Sequence, residues 1–230
     1  MSLLTCPPCE ALGCIDYRDG LARMQAHVQQ PRDRRPERVW ALTHPAVFTQ
    51  GLGGKPEHVL APDEIPVVAS DRGGQVTYHG PGQAVLYTLI DIGTRRLGVR
   101  RFVRVLESSV IALLAEAGVD GARIEGAPGV YVDGAKVAAL GLRLKNGMTY
   151  HGLSLNVDMD LEPFSRINPC GMAGLAVTQL RDLGVRMSVE RATERLAQAF
   201  AAELEAATRA VADGTHAEPS MPQQTAVTGG

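Results

Sequence analysis

Apolar residues recur at two different spacings along the chain, and the spacing predicts which element forms. The segment 99–118 has a stripe at helical spacing, made of Phe102, Leu106, Val110, Leu113 and Ala117. Shorter apolar runs bounded by Gly, Pro, Asn or Asp predict strands instead. Helices are predicted at 17–30, 99–118 and 189–211. Strands are predicted at 38–44, 66–70, 83–92, 129–132, 135–144 and 148–157.

The last three predicted strands are separated by turn sequences. Asp133-Gly134 and Lys145-Asn146-Gly147 lie between apolar runs, and Asp-Gly or Asn-Gly in this position is a strong hairpin signal. The fold is therefore predicted to be α+β, a single domain with a mixed β-sheet flanked by helices. We expect this domain to cover residues 1–212. Residues 213–230 lack apolar periodicity and are predicted to form a disordered C-terminal tail.

Composition limits the class of protein. A net charge of -2 argues against a nucleic-acid binder, and no apolar run reaches the length of a membrane span. The N-terminus lacks the features of a signal peptide, and the cysteines form no disulfide framework, so a cytoplasmic location is expected. Cys6, Cys9 and Cys14 include a CxxC pair, but no second Cys or His pair follows. We interpret this cluster as incidental and expect no metal site.

The segment RGGQVTYHGPGQ, residues 72–83, places four glycines around Arg72 and His79 just before a predicted strand. Free backbone N–H groups in such a loop can bind an anion or a carbonyl oxygen. The segment is neither a P-loop, which needs GxxxxGK followed by Ser or Thr, nor a GxGxxG turn that opens a helix. The alternative is a long hairpin connection with ordinary turn glycines.

Two further residues could carry chemistry. Lys136 shares strand parity with Ala138 and Leu140, so it should point with the apolar residues unless a bulge intervenes. A lysine buried there needs an anionic partner, although a strand-end lysine can also reach out to water. Cys170 lies in RINPCGM, between Pro169 and Gly171, where a turn could expose its thiol. Taken alone, it could equally be a small buried hydrophobe.

The glycine-rich segment 72–83, the strand that carries Lys136 and the turn that carries Cys170 occur together with HPAVFTQG (44–51) and HGLSLNV (151–157). This set of motifs resembles the lipoyl(octanoyl) transferase family, the bacterial octanoyltransferases of lipoate biosynthesis. The resemblance covers roughly residues 15–185. The resemblance implies the fold of the biotin and lipoate protein ligases. It also implies transfer of an octanoyl group from octanoyl-acyl carrier protein to a lysine of lipoyl domains, without a cofactor. The implied acceptors are the acyltransferase subunits of 2-oxo acid dehydrogenases and the H protein of glycine cleavage.

The resemblance also implies roles for individual residues. Cys170 matches the nucleophile that forms an acyl-thioester, and Lys136 matches the lysine that activates it. The implied substrate-binding residues are Arg72, Gly73, Gly74, Gln75, Val76, Thr77, Tyr78, His79, Ala139, Leu140, Gly141, Gly152, Leu153 and Ser154. This chain departs from the family by carrying Ala139 and Ser154, where the family often has Ser and Ala respectively.

A thiol relay suits this reaction, because exchange between thioesters is nearly isoenergetic whereas transfer onward to an amine is downhill. We hypothesise that Lys136, neutral once Cys170 is acylated, accepts the proton of the acceptor lysine, with His79 a less favoured base. The oxyanion could be stabilised by backbone amides of residues 72–83, which we call the glycine loop, or by the amide of Gly171. Candidate walls for the acyl chain are Val137, Leu140, Leu142 and Leu153. His44 and His151 could be polar residues of the pocket, but a structural role is the favoured interpretation for each.

The predicted helix at 99 begins among cations that oppose its dipole. We call Arg96, Arg100, Arg101 and Arg104 the basic patch. It is either a docking surface for an acidic carrier protein or a solvated basic face. Two other functions compete with octanoyl transfer. One is an ATP-dependent lipoate or biotin ligase on the same fold, and the other is a non-catalytic module that binds a carrier protein.

Overall fold

The computed structural model describes residues 6–214, which form ten strands and three α-helices. The strands are β1 (Cys9–Cys14), β2 (Arg38–Thr43), β3 (Val47–Gln50), β4 (Val67–Ala69), β5 (Val76–His79), β6 (Gln83–Leu89), β7 (Ala122–Ile124), β8 (Ala127–Val132), β9 (Ala135–Lys145) and β10 (Met148–Asn156). The helices are α1 (Tyr17–Gln29), α2 (Val99–Glu116) and α3 (Val189–Ala212).

The strands form two sheets. The larger one has seven strands in the order β1-β2-β6-β10-β9-β8-β7, and the smaller one has the order β4-β3-β5. Both are mixed, because β1 runs parallel to β2 and β3 runs parallel to β4, while the other pairs are antiparallel. The predicted mixed sheet is confirmed.

The interior strand β6 is buried along its whole length, as its apolar sequence predicts. Ala84 and Leu86 point into one cluster, which they share with residues of α2 and α3. Val85 and Tyr87 point into a second cluster, which includes Met24 of α1. Helices therefore cover the large sheet on both faces.

Both predicted hairpin turns have the left-handed backbone that their residues favour. Asp133 and Gly134 have φ values of 49° and 81°, and Asn146 and Gly147 have 52° and 83°. Positive φ at both central residues is the geometry of a tight hairpin turn that matches strand twist. The meander of β8, β9 and β10 is confirmed.

Four strands were not predicted: β1, β3, β5 and β7. Both β1 and β7 are exposed strands at the two edges of the large sheet, so they carry little apolar alternation. The other two lie inside segments whose glycines and prolines indicated loops. Ala117, predicted on the buried stripe of α2, is exposed because it caps the helix end.

Helix α3 ends at Ala212, and the domain boundary predicted there stays a prediction. The predicted tail lies almost wholly outside the described residues, and its disorder stays a prediction. Within residues 6–214, no helix has both the length and the apolar character that crossing a membrane requires.

Candidate active site

A β-bulge in β9 sets the direction of Lys136. The register pairs Val130 with Ala138 but Tyr131 with Lys136, which leaves Val137 as an extra residue. Val130, Val137 and Ala138 pack in the core beneath α2 and α3, so Lys136 and its partner Tyr131 face the other way. Lys136 was expected to point with the apolar residues unless a bulge intervened; the bulge is present, and it reverses the alternation of side chains.

Cys170 lies on a tight turn that exposes its thiol. The turn Pro169–Gly171 is a single 3₁₀ turn in which Cys170 has φ 58° and ψ 18°. A residue other than glycine is uncommon in this left-handed region, and such outliers cluster at functional sites. Gly171 continues the turn with φ 72°. The side chain of Cys170 is exposed and unbridged, so it is not a buried hydrophobe.

The chain returns alongside β9 after this turn, which brings the thiol to the lysine. The Lys136 amide donates to Ala176 O at 2.8 Å, and the Thr178 amide donates to Lys136 O at 3.0 Å. The Lys136 ammonium then donates to Cys170 Sγ at 3.0 Å. Two residues that are 34 positions apart in sequence are thus held in hydrogen-bonding contact.

Lys136 is almost completely buried, with 4% of its surface exposed. Its Nζ also donates to Pro128 O at 3.1 Å and lies 5.1 Å from the centre of the Tyr131 ring. Burial lowers the pKa of Lys136, but the thiolate charge of Cys170 and hydrogen bonds to Cys170 and Tyr131 outweigh it, so the pKa is raised overall. The lysine is therefore charged at neutral pH.

A cleft of about 510 Å³, its open mouth included, runs from Cys170 across β9 and β10. All the predicted substrate-binding residues line it except Gly73 and Tyr78. The Gly73 amide instead donates to Leu142 O, and the Tyr78 ring packs between Phe48 and Phe164 in a separate cluster. Tyr17, Val85 and Tyr87 also line the cleft and were not predicted to do so.

Arg72 links the glycine loop to the small sheet. Its buried guanidinium donates to Thr49 O at 2.7 Å, to Thr49 Oγ1 at 2.9 Å and to Gly73 O at 3.0 Å. The aliphatic part of Arg72 crosses Gly141, where a β-carbon would lie 2.8 Å from Arg72 Cδ. Glycine at 141 therefore permits the close approach that holds the loop against β9.

The histidines near the cleft differ in their bonding. Burial and the neighbouring His44 lower the pKa of His79 to about 3, and its Nδ1 bonds to Gln83, so this ring is a weak base. His44 bonds through both ring nitrogens, to Ile15 O and the Tyr87 hydroxyl, and is structural as interpreted.

His151 was interpreted as structural, yet it lines the cleft. Its Nε2 lies 2.8 Å from Asp71 Oδ1, and because a carboxylate only accepts, Nε2 carries the proton. Its buried Nδ1 has no hydrogen-bond partner among the described residues. The less favoured interpretation, a polar residue of the pocket, therefore describes its position better.

Only two of the four candidate walls line the cleft, namely Leu140 and Leu153. Val137 and Leu142 are absent from the lining and pack with the core on the helix side of the sheet. For Val137 the bulge is the reason, since it turns this residue to the same side as Ala138.

Some of the candidate oxyanion donors already donate hydrogen bonds within the protein, and others do not. The Gly171 amide already donates to Asn168 O at 2.9 Å, and the Gly73 amide donates to Leu142 O at 2.8 Å. Within residues 6–214, no acceptor is recorded for the amides of Gly74, Gln75 and Cys170. These three N–H groups remain available beside the cleft.

The three N-terminal cysteines lie at or before β1 and are free and exposed. Across the described part of the chain, no group of three or more His, Cys, Asp or Glu side chains is arranged to hold a metal ion.

Comparison with known proteins identifies the family. Residues 16–201 match the family model of the lipoyl protein ligase A/B catalytic domain. An octanoyltransferase of Chromobacterium violaceum is 55% identical over 185 residues, which are 80% of this chain and 89% of the relative. One of Nitrosomonas europaea is 50% identical over 193 residues, 84% and 95% of the two chains. The chain belongs to the octanoyltransferases of this family.

Solved structures show how the octanoyltransferase fold relates to the ligases. Lipoate-protein ligase A bound with ATP has a TM-score of 0.71 at 15% identity, over 90% of this chain and 94% of that one. A biotin protein ligase from Aquifex aeolicus has a TM-score of 0.56 at 12% identity, over 88% and 72%. At these identities the likeness shows the fold alone, and it confirms the fold expected from the sequence.

Within the octanoyltransferase cleft, the two departures from the family pattern face each other. Ala139 of β9 pairs directly with Ser154 of β10, and both line the cleft. Relative to the pattern that the resemblance implies, one hydroxyl is on the opposite strand and the number of hydroxyls is the same.

Proposed function

We propose that this octanoyltransferase moves an octanoyl group from octanoyl-acyl carrier protein to the lysine of a lipoyl domain, through an acyl-thioester on Cys170. The contact of 3.0 Å between Lys136 Nζ and Cys170 Sγ, beside a largely apolar cleft, carries this proposal. An ammonium stabilises a neighbouring thiolate, which is the nucleophilic form of cysteine.

In the first step, the Cys170 thiolate attacks the donor thioester. The new C–S bond joins the octanoyl carbonyl to Cys170, and the bond to the carrier's sulfur breaks. The departing thiolate takes a proton from the Lys136 ammonium, so the carrier leaves as a thiol and Lys136 becomes neutral. The unengaged amides of Cys170, Gly74 and Gln75 are the donors we propose for the oxyanion.

In the second step, the amine of the acceptor lysine attacks the acyl-thioester. A C–N bond forms, the C–S bond to Cys170 breaks, and the neutral Lys136 takes the proton released by the amine. The enzyme returns to its starting ion pair. His79 is a poor alternative base, because its pKa lies near 3 and its Nδ1 is bonded to Gln83.

The carrier protein would dock on the basic patch. Arg100 and Arg104 are exposed, and the Arg104 carbonyl accepts from Arg123 of β7. Glu107, one turn along α2, accepts from the Gly129 amide, so this end of the patch lies against β8, next to the strand that carries Lys136. We expect Arg100→Glu with Arg104→Glu to raise KM for the carrier protein. The same change at exposed Arg23 on α1 should leave KM unchanged, and equal effects would refute the docking surface.

The proposed acceptors are the lipoyl domains of 2-oxo acid dehydrogenase acyltransferase subunits and the H protein of glycine cleavage. We propose a cytoplasmic location, which fits four free and exposed thiols.

An intact-mass experiment tests the reaction. The protein is incubated with octanoyl-carrier protein without ATP, and we expect an octanoyl adduct that disappears in Cys170→Ser. Activity that instead needs ATP and free lipoate would establish the ligase reaction. Absence of both adduct and activity would leave a carrier-protein binding module.

A further inference from the structure

A buried carboxylate on α2 is linked to the Lys136–Cys170 pair through one peptide group of β8. Glu107 is 6% exposed, and its Oε1 accepts from the Gly129 amide at 3.2 Å while Oε2 accepts from Arg123 Nε at 3.0 Å. A buried carboxylate is unfavourable unless bonded, so its placement among the apolar residues of α2 calls for a specific partner. Its partners are the Arg123 guanidinium and one peptide group of β8.

The same peptide group also contacts the lysine. Its N–H belongs to Gly129 and bonds to Glu107, whereas its C=O belongs to Pro128 and accepts from Lys136 Nζ at 3.1 Å. Because a peptide is planar, its N–H and C=O point in fixed, opposite directions. Holding the N–H therefore aims the carbonyl, and bonds in such a chain strengthen one another.

Gly129 is shaped for this arrangement. Its φ of +143° suits only glycine, and a β-carbon there would lie 2.9 Å from Lys136 Cε and 2.8 Å from Ala138 O. The lysine side chain thus passes directly over the peptide that Glu107 holds.

We propose that Glu107 is a positioning residue that acts through the Pro128–Gly129 peptide to hold Lys136 against Cys170. The inference rests on the proposed function for what the pair does. Its effect is greatest after acylation, because a thioester sulfur carries no charge to hold the lysine. Pro128 O and the Tyr131 side chain then keep Nζ beside the acyl group, ready to take the proton of the acceptor amine.

The direction in which the pH midpoint of Cys170 alkylation moves distinguishes two roles for Glu107: holding Lys136 in place, or acting on the thiolate through its own negative charge. Loss of Glu107 would let Lys136 move away, so the thiolate would be less stabilised and the pH midpoint of Cys170 alkylation would rise. If Glu107 acted on the thiolate directly, removing its negative charge would lower that midpoint. The other charged or titratable groups around the pair are Tyr131, Arg72, Arg123 and His58.

The experiment measures iodoacetamide alkylation of Cys170 against pH, resolved by peptide mass spectrometry, with exposed Cys14 as internal reference. Glu107→Met fills similar space without an acceptor, whereas Glu107→Gln keeps an oxygen for the Gly129 amide. We expect the Met variant to raise the midpoint by about one pH unit and the Gln variant to stay close to the wild type. Val110→Ala, a destabilising change in the buried face of α2, should not move the midpoint.

A second readout follows transfer to a lipoyl domain from preformed octanoyl-Cys170. We expect Glu107→Met to slow this step several-fold more than Val110→Ala does, and Glu107→Gln to restore most of the rate. A midpoint that stays or falls in Glu107→Met, or one that rises equally in Val110→Ala, overturns the proposal. Alkylation needs no acyl donor, so a wild-type protein that formed no octanoyl adduct would refute the proposed function while the midpoints still tested Glu107.

Discussion

Replacing Gly129 by alanine would place a methyl group in the path of the Lys136 side chain. The new β-carbon would lie 2.8 Å from Ala138 O and 2.9 Å from Lys136 Cε. The carbonyl belongs to the β8–β9 ladder and cannot retreat freely, so the lysine must move. We expect Gly129→Ala to form acyl-enzyme slowly because Nζ loses its place beside Cys170.

The size of the effect follows from the distances. Ordinary carbon contacts lie near 3.5–4.0 Å, so relieving the clash requires a shift of roughly 1 Å at Cε. A misplacement of about 1 Å in a catalytic group lowers rates by about 100-fold. Crowding of this kind destabilises a protein by about 1–3 kcal/mol, and the φ of +143° adds about 1–3 kcal/mol of backbone strain.

The assay is the rate of octanoyl-Cys170 formation by intact mass, with thermal unfolding measured on the same samples. Gly126→Ala is the matched control, because Gly126 also has positive φ, of +76°, but nothing lies within 4 Å of its added β-carbon. We expect the control to lose some stability and keep its rate. If Gly129→Ala acylates as fast as Gly126→Ala, the lysine need not occupy the observed position and the reasoning fails.

Three further outcomes are expected. Lys136→Arg keeps a cation but cannot become neutral, so it should slow transfer from preformed acyl-enzyme strongly; a wild-type transfer rate in single-turnover kinetics would exclude the proton-acceptor role. Gly141→Ala should displace Arg72 and raise KM for the acyl donor, and an unchanged KM would show that the loop tolerates the shift. Although burial raises the pKa of Asp71, hydrogen bonds from His151, Tyr150 and Gln25 hold that pKa well below its usual range. The stability that the Asp71 carboxylate contributes is present above about pH 4 and is lost as the pH falls toward its folded pKa. The Asp71→Asn variant should therefore be less stable than the wild type at pH 7, and the difference in melting temperature should narrow in acid. A difference in melting temperature that stays constant with pH would contradict this.

The sequence predicted those elements whose signals are local. The helices show apolar periodicity within single segments, and the β8–β9–β10 meander shows alternation between tight turns. The short strands β3 and β5 pair with each other across 26 or more positions, so their stability comes from partners that no local window contains.

The site was predicted unevenly for the same reason. The bulge at Val137 carries no glycine or other mark, so the parity argument for Lys136 reached the wrong face although the lysine does meet an anionic partner. Cys170 and Lys136 were matched through the family resemblance rather than through any contact visible in the sequence. Tyr17, Tyr87 and His151 look like ordinary core residues in the chain, and only the folding of α1, β6 and β10 around one space shows them lining it.

The pairing of Ala139 with Ser154 has a consequence for how this cleft could have diverged. Moving a hydroxyl from one strand to the other by single substitutions requires an intermediate with two hydroxyls or with none. Each route of single substitutions therefore changes the polarity of the cleft at the position where residues 139 and 154 pair.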